Sequence, residues 1–131
     1  MIYTGYYGKL KKYKEFGMES VAISGKVPDF YYGLAYPDFA PRYEMFQRWK
    51  NGEITNEGYT VEYKAHLNTL NREEIRKDFE VYNKKGNDCI LLCYEKSNEF
   101  CHRHVLADWL EETFGWAVEE FDFKFDFKLK V

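Results

Sequence analysis

The sequence predicts an α/β domain of three layers, with a mainly parallel β-sheet between two layers of helices and an added C-terminal strand. Short apolar stretches alternate with amphipathic helical segments along most of the chain, which is the order that a parallel sheet requires. The apolar stretch at 88–94 lacks polar alternation, as expected of a strand covered by helices on both faces. Phenylalanines then alternate with charged residues at 121–131, which indicates a last strand with one buried face.

Length and composition indicate a single globular domain, 1–131. The chain has 131 residues, 45% of them hydrophobic and 31% charged, and this is enough to bury one core of ordinary size. Aromatic residues make up 20% of the chain. Aromatic rings bury large areas, and tyrosine keeps a polar tip. The composition therefore favours a well-filled core, an interface or a site that stacks on a flat ligand.

The charge and the apolar runs narrow the classes of partner. The net charge of −3 gives no general attraction to nucleic acid or to an anionic membrane. The longest apolar run, 89–94, is far too short to span a bilayer, and no segment is typical of a signal peptide. We therefore expect a cytoplasmic protein whose three cysteines are reduced thiols.

The N-terminal part is predicted to contain two strands and one short helix. A strand at 1–6 runs into a glycine-containing turn, a helix follows at 9–16, and a second strand lies at 21–24. The segment 29–41 is predicted to be a loop because prolines punctuate it. This loop also carries several aromatic rings, which either pack down on the core or form one wall of a ligand pocket.

The remaining elements have recognisable starts and ends. Pro41 suits the first position of a helix that ends at Asn51-Gly52, and a second helix begins near Thr55. Asn71 with a glutamate three residues later predicts a capped third helix, which ends at Gly86. The strand at 88–94, a helix after Asn98 and a long strand at 118–131 complete the chain.

The topology selects the candidate site. Ligands of parallel sheets bind beyond the carboxyl ends of the strands. The strand ends lie at 4–8, 24–26 and 93–95, and the start of the last helix lies beside the third of them. The side chains expected to meet there are Tyr6, Tyr7, Lys26, Cys93, Glu95, Cys101, His102 and Arg103.

These residue types are suited to an anionic ligand. The first N–H groups of a helix favour anions, and Arg103 adds a planar fork that matches phosphate or carboxylate. Cys101 in the first turn is expected to have a lowered thiol pKa. Glu95 or His102 is the candidate general acid or base. Tyr6, Tyr7 or the aromatic loop would stack on a flat part of the ligand.

Two other chemistries are not favoured by the spacing. A phosphatase-type loop needs a cysteine and an arginine around a short glycine-containing cradle, but Cys93 and Arg103 are ten positions apart and the intervening segment lacks glycine. A zinc site would use Cys93, Cys101 and His102, yet the chain has no close cysteine pair and only one such cluster. The sequence therefore predicts neither a metal ion nor a cofactor.

Three functions remain open at this point. The first is an enzyme that acts on a nucleotide-like or other anionic small molecule, and the second is a protein that binds such a ligand without changing it. The third is an interaction module that uses the C-terminal strand. An apolar strand edge left open invites pairing with another chain, so we expect the C-terminal strand to support a homo-oligomer if its own domain does not cover it.

Two segments resemble the signature of a bacterial and phage family, domain of unknown function 488. They are Leu-Leu-Cys-Tyr-Glu-Lys at 91–96 and Cys-His-Arg-His-Val-Leu-Ala-Asp-Trp-Leu at 101–110, and the resemblance extends over roughly 1–121. It implies a Rossmann-like fold and a shared site at Cys93, Glu95, Cys101, His102 and Arg103. Many members have Asp-Val-Arg after the second strand, where this chain has Ile-Ser-Gly-Lys at 23–26, so Lys26 is the expected replacement for that cation.

Overall fold

The computed structural model describes residues 1–84, 86, 88–94 and 100–121, and these form an all-parallel five-stranded sheet with helices on both faces. The strands are β1 (Ile2–Tyr6), β2 (Glu19–Ala22), β3 (Leu34–Ala35), β4 (Cys89–Cys93) and β5 (Val118–Glu120). The helices are α1 (Leu10–Glu15), α2 (Tyr43–Lys50), α3 (Asn56–Leu67), α4 (Arg72–Lys84) and α5 (His102–Phe114). The predicted three-layer α/β class is confirmed.

The strand order β3-β2-β4-β1-β5 places β4 at the centre of the sheet and β5 at one edge. In the register of the β1–β4 pair, Tyr6 lies opposite Cys93. In the β1–β5 pair, Thr4 lies opposite Glu120. Because all strands are parallel, the carboxyl ends of β1, β4 and β5 lie along one edge of the sheet, and α5 returns from that edge.

Side chains of β4 alternate between two cores. Cys89, Leu91 and Cys93 belong to the larger core, to which α3 and α5 contribute. Ile90 and Leu92 belong to the smaller core, together with residues of α1. All five side chains are buried, which is why the strand shows no polar alternation in the sequence.

Two predicted helix starts are confirmed by their capping hydrogen bonds. The Thr55 hydroxyl accepts a hydrogen bond from the Gly58 backbone N–H at 3.0 Å. The Asn71 side chain accepts one from the Glu74 backbone N–H at 3.1 Å. Each bond satisfies one of the N–H groups that the first turn of a helix leaves without a partner in the helix.

Other boundaries differ from the predictions. α2 begins at Tyr43 rather than at Pro41, because Arg42 still has extended backbone angles. β2 begins and ends two residues earlier than predicted, although the N–H of Ile23 still bonds to Leu92 at 3.0 Å. β3 lies inside the segment predicted as a loop, where the next N–H, of Tyr36, bonds to the Ala22 carbonyl at 2.8 Å.

The last helix and strand are also shorter than predicted within the described residues. α5 begins at His102 with Cys101 as its N-cap, whereas the sequence placed its start after Asn98. β5 covers three residues of the predicted 118–131 strand, and 122–131 lie outside the described residues. The predicted C-terminal strand is therefore confirmed only at its beginning.

The aromatic loop divides between core and surface. Tyr36 and Phe39 are buried and contact Phe79 of α4, with ring centroids 5.9 and 6.1 Å away. Phe30 and Tyr32 are exposed. Packing on the core thus explains the aromatic residues at the end of the loop, but not those at its beginning.

None of the described helices has both the length and the apolar character that a membrane span requires.

Candidate functional site

Cys93 and Cys101 meet at the carboxyl edge of the sheet. Cys93 is the last residue of β4, Cys101 is the N-cap of α5, and both are buried. A disulfide joins them, with their Cα atoms 7.5 Å apart. The fold thus brings together two cysteines that are eight positions apart in the sequence. The disulfide corrects the expectation that these two cysteines are reduced thiols. Cys89 is free and buried, and burial raises the pKa of its thiol to about 12.

Arg103 is the largest of the fully buried side chains, and its guanidinium points to the same edge. Its Nε and Nη2 each donate to a different carboxylate oxygen of Glu120 at 3.1 Å. Its Nη1 donates to the Cys93 Sγ at 2.8 Å. The Thr4 hydroxyl donates to the same Glu120 carboxylate at 2.6 Å. The fork expected to hold a ligand phosphate therefore binds a carboxylate of the protein itself.

The imidazole of His102 is also buried, with a defined orientation. Its Nε2 lies 2.7 Å from the Ile23 carbonyl oxygen. Because a carbonyl only accepts, Nε2 carries the hydrogen, and Nδ1 of the neutral ring has a lone pair. Nδ1 lies 3.7 Å from the Cys101 Sγ. Burial lowers the pKa of His102 to about 4, and the neighbouring Arg103 adds to this, so the ring is neutral near pH 7.

The three side chains of this cluster offer ligand atoms that converge. The two Sγ atoms and the His102 nitrogen all lie within 4.8 Å of one another, and all three residues are buried. We call Cys93, Cys101, His102, Arg103 and Glu120 the edge cluster. The sequence predicted four of these five residues as site residues, and the structure brings those four together.

The other predicted residues are placed differently. Tyr6 lies beside the edge cluster, with its ring centroid 6.0 Å from the Arg103 guanidinium carbon. Tyr7 is buried, and its hydroxyl shares a 2.5 Å hydrogen bond with Ser24, so its ring is part of the smaller core rather than an open stacking surface. Lys26 is exposed in the loop after β2. Glu95 lies outside the described residues.

The sequence analysis missed Glu120 and Thr4. Glu120 satisfies the same strand-end rule that selected the other residues, since it is the last residue of β5. The rule did not reach it because the terminal strand was predicted to run to Val131, which put the carboxyl end in another place. Nothing in the sequence marked Thr4 as a site residue, because threonine is common in strands.

Two cavities in the described part of the chain bear on the site. The smaller, of about 10 Å³, reaches the edge cluster and is lined by Phe46, Trp49, Tyr59, Phe100, Cys101 and His102. The larger, of about 370 Å³, shares no lining residue with the cluster; Arg48 and Glu62, two of the charged residues that line it, form a 2.5 Å ion pair. Of these two, the smaller cavity is therefore the one that adjoins the edge cluster.

Comparison with known protein families gives a match over most of the chain. The model of a family described as the active DUF488-N3 subclade matches residues 17–114. This region contains β2, β4 and α5, and with them Cys93, Cys101, His102 and Arg103. No curated protein and no solved structure matches the chain significantly.

Proposed function

The chain belongs to the DUF488 family, and on that premise we propose that it is an enzyme that acts on a nucleotide-like or other anionic small molecule at the carboxyl edge of the sheet. The observation that carries the proposal is the complete burial of Arg103 between Glu120 and the Cys93 sulfur. A buried ion pair gives little stability compared with apolar side chains of the same volume. Its presence at the strand ends favours a chemical role.

The charges of the edge cluster favour a reactive sulfur. Once the disulfide is reduced, the Arg103 Nη1 donates to the Cys93 sulfur, and a cationic donor stabilises a thiolate over a thiol. The Cys101 thiol faces the His102 Nδ1, which can accept a hydrogen bond from it because Nε2 carries the hydrogen that is donated to Ile23. In this role His102 acts as a base towards Cys101. Arg103 acts as the group that sets the charge on Cys93 rather than as the anchor for a phosphate.

The surroundings favour a flat ligand with an anionic group. Four aromatic rings line the smaller cavity beside Cys101 and His102. At about 10 Å³ the cavity is too small for a base as it stands, so stacking of a flat ligand on these rings would need them to move apart. The Tyr6 ring centroid lies 6.0 Å from the Arg103 guanidinium carbon. Glu95 follows β4 by two residues in the sequence and remains our candidate for general acid or base catalysis. The exposed Lys26 remains the candidate for the cation that meets the anionic group.

A turnover assay tests this proposal. Reduced protein is incubated with a panel of nucleoside mono-, di- and triphosphates and dinucleotides, and each compound is quantified by liquid chromatography and mass spectrometry. We expect wild type to consume one class of compound. We expect Cys93→Ala, His102→Ala and Glu95→Gln to lose about 10²-fold or more of that rate. Cys89→Ala is the matched control, since it removes a buried thiol from the same strand away from its carboxyl end, and it should retain the rate.

Equal turnover by wild type and by all three site variants would contradict the proposal. A compound that wild type binds tightly and returns unchanged after long incubation would also contradict catalysis. That second result would favour the alternative of a binding protein that sequesters its ligand. In both cases circular dichroism of each variant shows whether the fold is retained, so that a loss of folding is not taken for a loss of chemistry.

A further inference from the structure

The edge cluster has the three ligand atoms of a metal site. The Cys93 Sγ, the Cys101 Sγ and the His102 nitrogen lie within 4.8 Å of one another. Around a tetrahedral zinc ion, two thiolates and an imidazole nitrogen lie about 3.5–3.8 Å apart, from bond lengths of about 2.3 and 2.0–2.1 Å. The 3.7 Å between the Cys101 Sγ and the His102 Nδ1 is already that separation.

The imidazole has the orientation of a metal ligand. Metal-binding histidines usually donate their second ring N–H to a carbonyl or carboxylate, which fixes the tautomer and aims the other nitrogen at the metal. His102 makes such a bond from Nε2 to the Ile23 carbonyl at 2.7 Å. Its Nδ1 is the nitrogen that faces the sulfur atoms. This orientation comes from the backbone of the strand-end segment after β2 and is independent of the cysteines.

The backbone spacing of the two cysteines suits a shared ion. Their Cα atoms are 7.5 Å apart, whereas disulfides usually hold Cα atoms about 4.4–6.8 Å apart. Two thiolates that bind one zinc ion keep their sulfur atoms about 3.8 Å apart, which such a Cα spacing readily accommodates. The same backbone therefore serves a dithiolate site without moving the end of β4 towards the start of α5.

When both sulfur atoms are ionised, a divalent cation balances the charge of the edge cluster. Two buried thiolates carry two negative charges, and Glu120 already offsets Arg103. A divalent ion returns the cluster to neutrality, which burial requires. The Arg103 Nη1 then supports the Cys93 thiolate through a hydrogen bond in the manner of an outer-shell partner. A fourth position remains, and the adjoining cavity of about 10 Å³ has room for about one water molecule.

We propose that the reduced chain binds one zinc ion through the Cys93 Sγ, the Cys101 Sγ and the His102 Nδ1, with a water molecule as the fourth ligand. Binding releases the thiol protons and forms two metal–sulfur bonds, and no electron is transferred once the disulfide has been reduced. Three protein ligands and one exchangeable position are the pattern of catalytic zinc sites. The thiolate and base roles proposed above belong to the reduced, metal-free chain, since these same atoms are ligands once zinc is bound. Zinc uptake needs no substrate.

Cobalt substitution tests the site. Metal-free protein is reduced with a phosphine, which does not supply competing thiols, and titrated anaerobically with cobalt(II) and then with zinc. We expect thiolate-to-cobalt charge-transfer bands and intense tetrahedral d–d bands that saturate at one ion per chain and vanish when zinc is added. Cys93→Ala, Cys101→Ala and His102→Ala should each weaken cobalt binding by about 100-fold or more, because losing an outer-shell partner alone typically costs about 10–100-fold. Cys89→Ala should leave the spectrum unchanged.

Two results would overturn the inference. One is reduced wild type without tetrahedral cobalt bands, and the other is equal binding by Cys89→Ala and the three ligand variants. Alkylation of wild type provides a measurement that does not depend on the folding of variants. Zinc should slow iodoacetamide labelling of Cys93 and Cys101, read by peptide mass spectrometry, and equal labelling with and without zinc would count against the site. Because no substrate is used, this outcome is separate from the turnover assay.

Discussion

The Arg103–Glu120 pair determines how well the edge cluster tolerates a change of charge. Removing the carboxylate leaves a fully buried guanidinium without the group that receives two of its N–H bonds. Breaking a buried pair from one side costs about 3–5 kcal/mol. We therefore expect Glu120→Gln to lower the free energy of unfolding by about this amount, as measured by urea denaturation. Glu119→Gln, on the exposed face of the same strand, should change it by less than about 0.5 kcal/mol.

A double-mutant cycle separates the pair from its surroundings. Arg103→Met removes the buried charge, so Arg103→Met combined with Glu120→Gln should be less destabilised than the sum of the two single variants. Simple additivity would show that the pair is not coupled. A Glu120→Gln variant as stable as Glu119→Gln would contradict the account of a buried guanidinium that depends on this carboxylate.

At the scale of elements, Gly5 sets the distance between α1 and the sheet. A Cβ atom at this position would lie 2.7 Å from the Tyr13 ring and 2.9 Å from the Ile90 Cδ1. Tyr13 is buried, and its hydroxyl accepts a hydrogen bond from the Tyr6 backbone N–H at 3.3 Å, so the ring has little room to move. Glycine is therefore required here by close packing of helix on strand.

Gly5→Ala should be destabilised by about 1–3 kcal/mol, the usual cost of overpacking a core. The matched control is Gly25→Ala, where an added Cβ meets nothing within 4 Å. That variant should have an unchanged free energy of unfolding, or one higher by about 0.4–1 kcal/mol, because alanine lowers the conformational entropy of the unfolded chain. Thermal and urea unfolding of both variants measure the difference. If Gly5→Ala were as stable as Gly25→Ala, the packing of Tyr13 would not depend on this glycine.

Elements were predictable from sequence where one local signal determines them. The caps at Thr55 and Asn71, and the unbroken apolar run of β4, required only nearby residues. β3 has two residues and follows Gly33, whose φ of 148° no sequence rule indicated, so its pairing with β2 could not be foreseen. The start of α5 was placed early because Asn98 is a better N-cap in general than Cys101.

Most residues of the candidate site could be predicted from the sequence, but the hydrogen-bond partners of their side chains could not. The strand-end rule selected Cys93, Cys101, His102 and Arg103 because topology alone brings them to one edge. Which group each side chain binds depends on packing. The carboxylate of Glu120 comes from a strand whose length was overestimated, and the Ile23 carbonyl is a backbone atom that every sequence contains. The convergence of two sulfurs and an imidazole therefore required the structure.

At the scale of the whole molecule, the smaller core depends partly on the C-terminal end of the described chain. Phe121 follows β5 and packs against the rings of Tyr3, Tyr13 and Phe16, with centroids 5.3, 5.8 and 5.7 Å away. In the sequence, Phe123, Phe125 and Phe127 continue with the same alternation. β5 is an edge strand of the sheet, and an apolar edge is a template for pairing with another chain.

We therefore predict that the full chain self-associates through its C-terminal segment. Two edge strands related by a twofold axis pair antiparallel, so one interface would extend both sheets and close the association at a dimer. Sedimentation equilibrium should show a dimer whose population rises with protein concentration. Phe125→Lys replaces one of the alternating phenylalanines by a charged residue and should shift the population to monomer. Lys124→Gln changes one of the charged positions between them and should leave the population unchanged. A wild-type monomer at every concentration would contradict this prediction, because the phenylalanines would then be covered within one chain, and it would also remove the main support for an interaction module.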